Sequence, residues 1–135
     1  MRDTLPMNEM VKPKLLIVDD EPQIRGILTE FLTDHFTLNS ATNGSEAIDV
    51  ARKWKPDLIL MDIMMPVLDG VSACQILRET EDTRHIPILM LTAANTSQDR
   101  IRAFNMGADD FISKPFEFEE LVSRLQGKHL RATTK

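Results

Sequence analysis

The chain has 135 residues, of which 42% are hydrophobic and 27% are charged, and these values are typical of a single globular domain. The formal net charge of −5 argues against a domain that grips nucleic acid by itself, because phosphate backbones demand a basic surface. No apolar run approaches the ~18 residues of a membrane span, and the one cysteine, Cys74, cannot form an internal disulfide. We therefore expect a cytoplasmic protein.

The pattern along the chain predicts three segments. Residues 1–12 show no hydrophobic period and are predicted to be a disordered leader, 13–127 form the folded domain, and 128–135 form a tail or the start of a linker. Short apolar runs at 15–18, 36–38, 58–61, 86–91 and 111–113 are predicted to be strands, and a helical period follows each. Five strand-then-helix units predict a doubly wound α/β fold, with a parallel sheet and helices on both faces.

The helical periods predict which side chains face the sheet. The predicted inward residues are Ile24, Ile27, Leu28, Phe31 and Leu32, then Ala47, Ile48 and Ala51, then Val71, Cys74 and Leu77, then Ile101 and Phe104, and finally Leu121, Val122 and Leu125. Asn43 with Glu46 three residues later resembles a capping box at the start of the second helix. Gly107 is predicted to end the fourth helix.

Chemically active side chains follow four of the predicted strands. They are Asp19 and Asp20 after the first, Asp62 at the end of the third, Thr92 after the fourth and Lys114 after the fifth. Because the carboxyl ends of parallel strands share one edge, these groups should be neighbours. Carboxylates ~4 Å apart repel by ~4 kcal/mol at an effective dielectric near 20, so they either share protons or hold a cation. Oxygen ligands with open positions suit Mg²⁺, and a carboxylate beside Mg²⁺, a lysine and a hydroxyl can attack phosphorus.

In their order and spacing these motifs resemble the receiver domain of two-component response regulators. The resemblance covers about residues 14 to 127, and it is carried by Asp19-Asp20, Asp62, Thr92-Ala93, the segment from Gly107 to Phe111, and Lys114-Pro115-Phe116. It implies a flavodoxin-like sheet in the order 2-1-3-4-5 and a cis bond between Lys114 and Pro115.

The resemblance also implies a metal site and a phosphoacceptor. Asp62 would accept a phosphoryl group from a sensor histidine kinase or a phosphotransfer protein. Asp20 and Asp62 would bind Mg²⁺ directly, together with the backbone carbonyl of Met64, and Asp19 would contribute through water. The chain would then be a signalling phosphoacceptor with slow self-dephosphorylation, and not an enzyme.

Three further residues are assigned switch roles by the same resemblance. Lys114 would pair with Asp62 and then with the phosphoryl group, while Thr92 would move to hydrogen-bond a phosphoryl oxygen. Phe111 would swing into the space that Thr92 leaves. The changed surface would control a partner or an output domain.

The lifetime of the phosphoryl group can also be predicted from the resemblance. Met64 and Ala94, each two residues after a key side chain, should flank the path of a hydrolytic water. Neither side chain can position that water by hydrogen bonding, so we expect slow loss of the phosphoryl group.

A homodimer is a further hypothesis from the resemblance. The pairs Arg100 with Glu120 and Asp110 with Arg124 match residues that bridge dimers in the receivers of winged-helix transcription factors. A third pair that is common there appears here as the uncharged Asn105 and Gln126. The alternative is a solvated charged face, because exposed ion pairs contribute only ~0–1 kcal/mol.

Two other functions remain open from the sequence. An aspartyl-nucleophile phosphohydrolase also forms an acyl phosphate, but such enzymes usually carry a second Asp two residues after the nucleophile, where this chain has Met64. A pseudo-receiver would use the fold as a binding module without phosphorylation. Such proteins usually lack part of the acidic, hydroxyl and lysine set, which is complete here.

Overall fold

The computed structural model describes residues 12–92 and 97–133, without the side chains of residues 92, 99, 100, 103 and 131–133. Residues 1–11 of the predicted leader, and Ala94, lie outside the described residues. The strands are β1 (Lys14–Val18), β2 (Thr37–Ala41), β3 (Leu58–Asp62), β4 (Ile88–Thr92) and β5 (Asp110–Ser113). The helices are α1 (Pro22–Leu32), α2 (Gly44–Trp54), α3 (Gly70–Glu79), α4 (Ser97–Asn105) and α5 (Phe118–Thr133).

The strands form one parallel sheet in the order β2-β1-β3-β4-β5, which confirms the predicted fold class. Strand β1 pairs with β2 on one side and with β3 on the other, so the direction of winding reverses between β1 and β3. In open α/β sheets, ligands bind beyond the carboxyl ends of the strands at this point of reversal. The topology therefore singles out the edge that carries Asp19 and Asp62.

The hydrophobic core has two halves, one on each face of the sheet. Alternate strand residues point to opposite faces, so Leu16 and Val18 join one cluster while Leu15 and Ile17 join the other. The first cluster contains residues of α2 and α3, and the second contains residues of α1 and α5. Every residue of β3 is buried, as its apolar run predicted.

The helix ends follow the predicted capping signals. The side chain of Asn43 accepts a hydrogen bond from the N–H of Glu46 at 2.8 Å. Glu46 accepts in return from the N–H of Thr42 at 2.6 Å, one residue before the expected donor. Helix α4 ends at Asn105, and Gly107 just beyond it has a φ of +108°, which favours glycine.

Two of the predicted helix faces are wrong in part. Ile27 and Phe31 are 45% and 49% exposed, and Ile101 and Phe104 are 58% and 46% exposed, although all four were predicted to face inward. Each exposed ring packs against another ring near the surface: Phe31 stacks on Phe118 at 3.8 Å, and Phe104 meets another ring edge-on. On α1 and on α4, the apolar stripe is therefore wider than the part of the helix surface that the sheet covers.

Helix α5 also runs further than predicted. It continues through Gly127 to Thr133, where a polar tail was expected after the domain. None of the described helices combines the length and the apolar character that crossing a membrane requires.

Candidate functional site

Three carboxylates converge at the predicted edge of the sheet. Asp19 and Asp20 follow β1, Asp62 ends β3, and each offers an oxygen within 4.8 Å of the other two. The ammonium nitrogen of Lys114, just after β5, lies 3.3 Å from Oδ2 of Asp62 and 3.8 Å from Oδ2 of Asp19. The structure thus brings together four of the predicted site residues. Thr92 ends β4 opposite Ser113 of β5, and its side chain is not described.

Asp19 is the most buried member of this group, with 1% of its surface exposed. Its Oδ1 accepts from the N–H of Glu21 at 2.9 Å, but its Oδ2 has no hydrogen-bond partner among the described residues. Burial raises the pKa of Asp19 to about 6, with a further increase from the charge of Asp62, against the lowering effect of the Glu21 hydrogen bond and Lys114. A buried carboxylate oxygen that faces other carboxylates and lacks a donor fits a bound cation.

The loop after β3 is packed tightly against the start of α3. The N–H of Met64 donates to Oδ1 of Asp62 at 3.2 Å, and the Met64 side chain is 70% exposed. A Cβ atom on Gly70 would lie 2.2 Å from the carbonyl oxygen of Asp62, so only glycine fits at this position. The N–H of Gly70 donates to the carbonyl of Ile63 at 2.8 Å. The backbone of the acidic strand end is therefore fixed by α3.

Two positions in this region were not singled out from the sequence. Gly70 followed an aspartate, which is a common turn signal and gives no hint of close contact with the strand end. Arg25 of α1 donates from Nη1 to the backbone carbonyl of Asp19 at 2.6 Å and so ties α1 to the site. The sequence offered no signal for this contact, because an arginine on a helix is usually solvated.

Two further features of the resemblance lie in β5 and just after it, the ring of Phe111 and the bond between Lys114 and Pro115. Phe111 is partly buried in β5, and its ring meets that of Phe104 at a centroid distance of 5.1 Å. The peptide bond between Lys114 and Pro115 is cis, as expected from the resemblance.

The residues predicted to bridge a dimer form ion pairs within one chain. Arg124 lies 3.3 Å from Asp110 and 3.2 Å from Glu120, and Lys128 lies 3.7 Å from Asp110. The side chain of Arg100 is not described.

Comparison with known proteins identifies the family. A family model described as "Response regulator receiver domain" matches residues 15–126. The chain belongs to this family. The receiver domain is 41% identical over 115 residues to the DNA-binding dual master transcriptional regulator RpaA of Synechocystis sp., covering 84% of this chain and 48% of RpaA. It is 40% identical over 128 residues to the transcriptional regulatory protein ResD of Bacillus subtilis, covering 94% of this chain and 52% of ResD.

Solved structures agree with this assignment. The receiver domain of sensor histidine kinase PA1611 from Pseudomonas aeruginosa PAO1 superposes with a TM-score of 0.82 at 32% identity, covering 88% of this chain and 98% of that one. That structure contains a magnesium ion coordinated in its active-site cleft. The receiver domain of Francisella response regulator 1452 superposes with a TM-score of 0.81 at 32% identity, covering 90% of this chain and 100% of that one. The chain spans about half the length of the curated relatives that it matches.

Proposed function

We propose that this receiver domain accepts a phosphoryl group on Asp62 in a Mg²⁺-dependent reaction and acts as a signalling switch. The observation that carries the proposal is the convergence of three carboxylates and Lys114 at the point where the sheet reverses its winding. Catalysis of phosphoryl transfer consists largely of positioning and charge stabilisation, and this arrangement supplies both.

The carboxylates fit a magnesium site. Asp20 and Asp62 would hold the ion directly, together with the backbone carbonyl of Met64. Asp19 would contribute through a bound water, and its buried Oδ2 has no hydrogen-bond partner among the described residues. When bound, Mg²⁺ would offset the repulsion among the carboxylates and stabilise charge on the transferred phosphoryl oxygens. The magnesium ion in the cleft of the PA1611 receiver supports this assignment.

The side chains of this site have separable roles. Asp62 is the nucleophile: one of its carboxylate oxygens forms a bond to phosphorus as the donor's nitrogen–phosphorus bond breaks and the donor histidine leaves. Lys114, 3.3 Å from Asp62, would neutralise charge on the carboxylate and then on the phosphoryl oxygens. The backbone N–H of Met64 holds the other carboxylate oxygen and so orients the nucleophile. Thr92 and Phe111 would report the change to the surface.

The phosphoryl donor would be a sensor histidine kinase or a phosphotransfer protein, and the output would be a partner or a linked domain. We place the protein in the cytoplasm, where the buried free thiol of Cys74 would stay reduced. We also propose that 13–127 are the receiver unit and that 128–135, in which α5 continues to Thr133, lead into a tail or a linker.

One experiment separates this function from its rivals. The purified protein is incubated with acetyl phosphate and Mg²⁺, and its intact mass is measured. We expect a phosphoryl adduct that disappears in Asp62→Asn and when EDTA removes the metal. Asp57→Asn is the matched control, because Asp57 lies just before β3 at its opposite end and its bond from the N–H of Lys14 can be kept by Asn. That variant should form the adduct normally.

The other outcomes identify the alternatives. Rapid turnover of phosphate esters without a stable adduct would indicate a phosphohydrolase. Absence of any adduct on the wild-type protein would indicate a pseudo-receiver.

A phosphorylation-favoured homodimer through Arg100, Asp110, Glu120 and Arg124 is a second proposal. Asp110 is already paired with Arg124 and Lys128 in the same chain, so an intermolecular contact would have to share or exchange these partners. Light scattering with and without a phosphoryl mimic should show a rise in mass, which Arg124→Ala abolishes. An unchanged mass would contradict the dimer.

A further inference from the structure

Helix α4 is held by little apolar packing in the described structure. Ile101 and Phe104 were expected to face the core, but they are 58% and 46% exposed. Helix α4 begins at Ser97, a few residues after Thr92 at the edge of the candidate site. An element with few buried apolar contacts has a low free energy of displacement, so individual polar contacts decide its position. Two arginine contacts connect α4 and the turn that follows it to opposite ends of α3.

The first contact fixes the turn after α4. Arg78, in the last turn of α3, donates from Nε to the carbonyl of Gly107 at 2.8 Å and from Nη1 to the carbonyl of Ile86 at 2.6 Å. Its Nη2 bonds Asp109, whose carboxylate also accepts from the N–H of Ile88 at 2.7 Å. The Arg78 side chain is only 21% exposed. This one guanidinium therefore joins the end of α3 to the segment before β4 and to the turn after α4, so this end is a rigid anchor.

The second contact is weaker and lies nearer the phosphoacceptor. Nη2 of Arg102 on α4 lies 3.6 Å from Oδ2 of Asp69, and the two side chains are 52% and 34% exposed. The other oxygen of Asp69 caps α3 by accepting from the N–H of Ser72 at 2.8 Å. Burial acts to raise the pKa of Asp69, but the Ser72 hydrogen bonds and the charge of Arg102 outweigh it and lower the pKa. Asp69 is therefore ionised at neutral pH.

Asp69 is connected directly to the backbone of the phosphoacceptor strand. The next residue, Gly70, packs so closely on Asp62 that an added Cβ would lie 2.2 Å from the Asp62 carbonyl oxygen. Any shift of this strand end on phosphorylation would therefore move Asp69 relative to α4. The contact between Asp69 and Arg102 therefore connects two parts: the loop that would move, and a helix whose described apolar side chains, Ile101 and Phe104, are about half exposed.

We propose that the Asp69–Arg102 ion pair is a latch that holds α4 in its unphosphorylated position, with the Arg78 contacts as the fixed end about which α4 is displaced. This inference rests on the proposed phosphorylation of Asp62. A latch that stabilises only the resting state opposes activation, so breaking it must raise the affinity of the site for a phosphoryl mimic. An exposed pair of this kind should change that affinity by about 2–5-fold.

The test is a double-mutant cycle on the affinity for beryllofluoride in the presence of Mg²⁺, measured by calorimetry. Asp69→Asn removes the charge but keeps a good N-cap residue, and Arg102→Gln removes the partner charge. Each variant should bind beryllofluoride about 2–5-fold more tightly than the wild type. The double variant should bind no more tightly than the better single variant, because both changes break the same contact. Raising the salt concentration to ~1 M should remove the difference in beryllofluoride affinity between the variants and the wild type.

A matched control uses an ion pair of the same kind elsewhere. Arg52 and Asp82 lie 3.8 Å apart with side chains 55% and 50% exposed, so Arg52→Gln should leave the affinity unchanged. Equal affinities for the wild type and the Asp69 and Arg102 variants, or additive effects in the cycle, would overturn the latch. Failure of the wild type itself to bind beryllofluoride would overturn the proposed function, and the latch with it.

Discussion

Replacing Asp19 by Asn should stabilise the metal-free domain at neutral pH, although Asp19 belongs to the proposed active site. The carboxylate is 1% exposed, and its Oδ2 lacks a hydrogen-bond partner among the described residues. Burial raises its pKa from 3.8 to about 6. The amide oxygen of Asn can keep the acceptor for the N–H of Glu21, and the uncharged amide nitrogen replaces the buried Oδ2.

The sign and size of the effect follow from the pKa of Asp19 in the two states. A pKa that is higher in the folded state means that folding favours the protonated form, so the benefit is present below pH 3.8 and is lost as the pH rises through about 6. The rise of the pKa from 3.8 to about 6 means that the ionised carboxylate lowers the free energy of unfolding by about 3 kcal/mol at pH 7.5. At pH 5 Asp19 is mostly protonated in the folded state, and the destabilisation is about half of its value at pH 7.5.

The assay is urea unfolding in EDTA at several pH values between 4 and 8. The free energy of unfolding of Asp19→Asn should exceed that of the wild type by up to about 3 kcal/mol at pH 7.5. The two free energies should converge near pH 4. Asp20→Asn is the matched control, because Asp20 lies in the same cluster but is more open to solvent, and its effect should be smaller. Added Mg²⁺ should stabilise the wild type more than Asp19→Asn. An Asp19→Asn variant that is less stable than the wild type at pH 7.5, or a gap that does not change with pH, would refute the reasoning.

Three further changes test other parts of the structure. Val67 is 82% exposed and has a φ of +70°, which is unfavourable for a β-branched residue, so Val67→Gly should raise the unfolding free energy in urea by up to about 1 kcal/mol. Gly107→Ala should lower it by roughly 1–3 kcal/mol, because φ is +108° and the new Cβ would lie 2.5 Å from Cγ of Arg78. Gly127→Ala is the control for that change, since nothing lies within 4 Å of an added Cβ in α5, and it should be neutral or stabilising. Met64→Gln, at an exposed side chain, should shorten the phosphoryl lifetime several-fold, and a wild-type half-life of only seconds in purified protein would contradict the slow loss that we predict.

The sheet could be predicted because its signals are local. Runs such as the one in β3 are short, apolar and closed by an acid, and this pattern fits a strand buried on both faces. The faces of the helices were less predictable. A stripe that includes Ile27 and Phe31 indicates which side of α1 is apolar, but the sheet and α5 decide how much of that side is covered.

For the candidate site as well, one aspect could be predicted from the sequence and another could not. The residues that meet at the edge could be predicted from the strand ends, because parallel topology makes those ends neighbours. The environment of each group could not be predicted from the sequence. Asp19 and Asp20 are adjacent in sequence, yet one is buried and the other reaches solvent, and only the packing around β1 distinguishes them. The contact between Asp69 and Arg102 depends in the same way on how α4 lies against α3.

The instability that we assign to Asp19 and the metal dependence that we propose have one physical origin. A carboxylate that is buried beside Asp62 without a full set of donors raises the free energy of the metal-free fold, by about 3 kcal/mol at neutral pH. An ion that satisfies this oxygen would recover that free energy on binding, which corresponds to roughly a hundredfold in the binding constant. Lys114 alone cannot replace the ion, since it is shared between Asp19 and Asp62 at 3.8 and 3.3 Å. Under the proposed function, the acidic cluster therefore lowers the stability of the metal-free domain and raises its affinity for Mg²⁺.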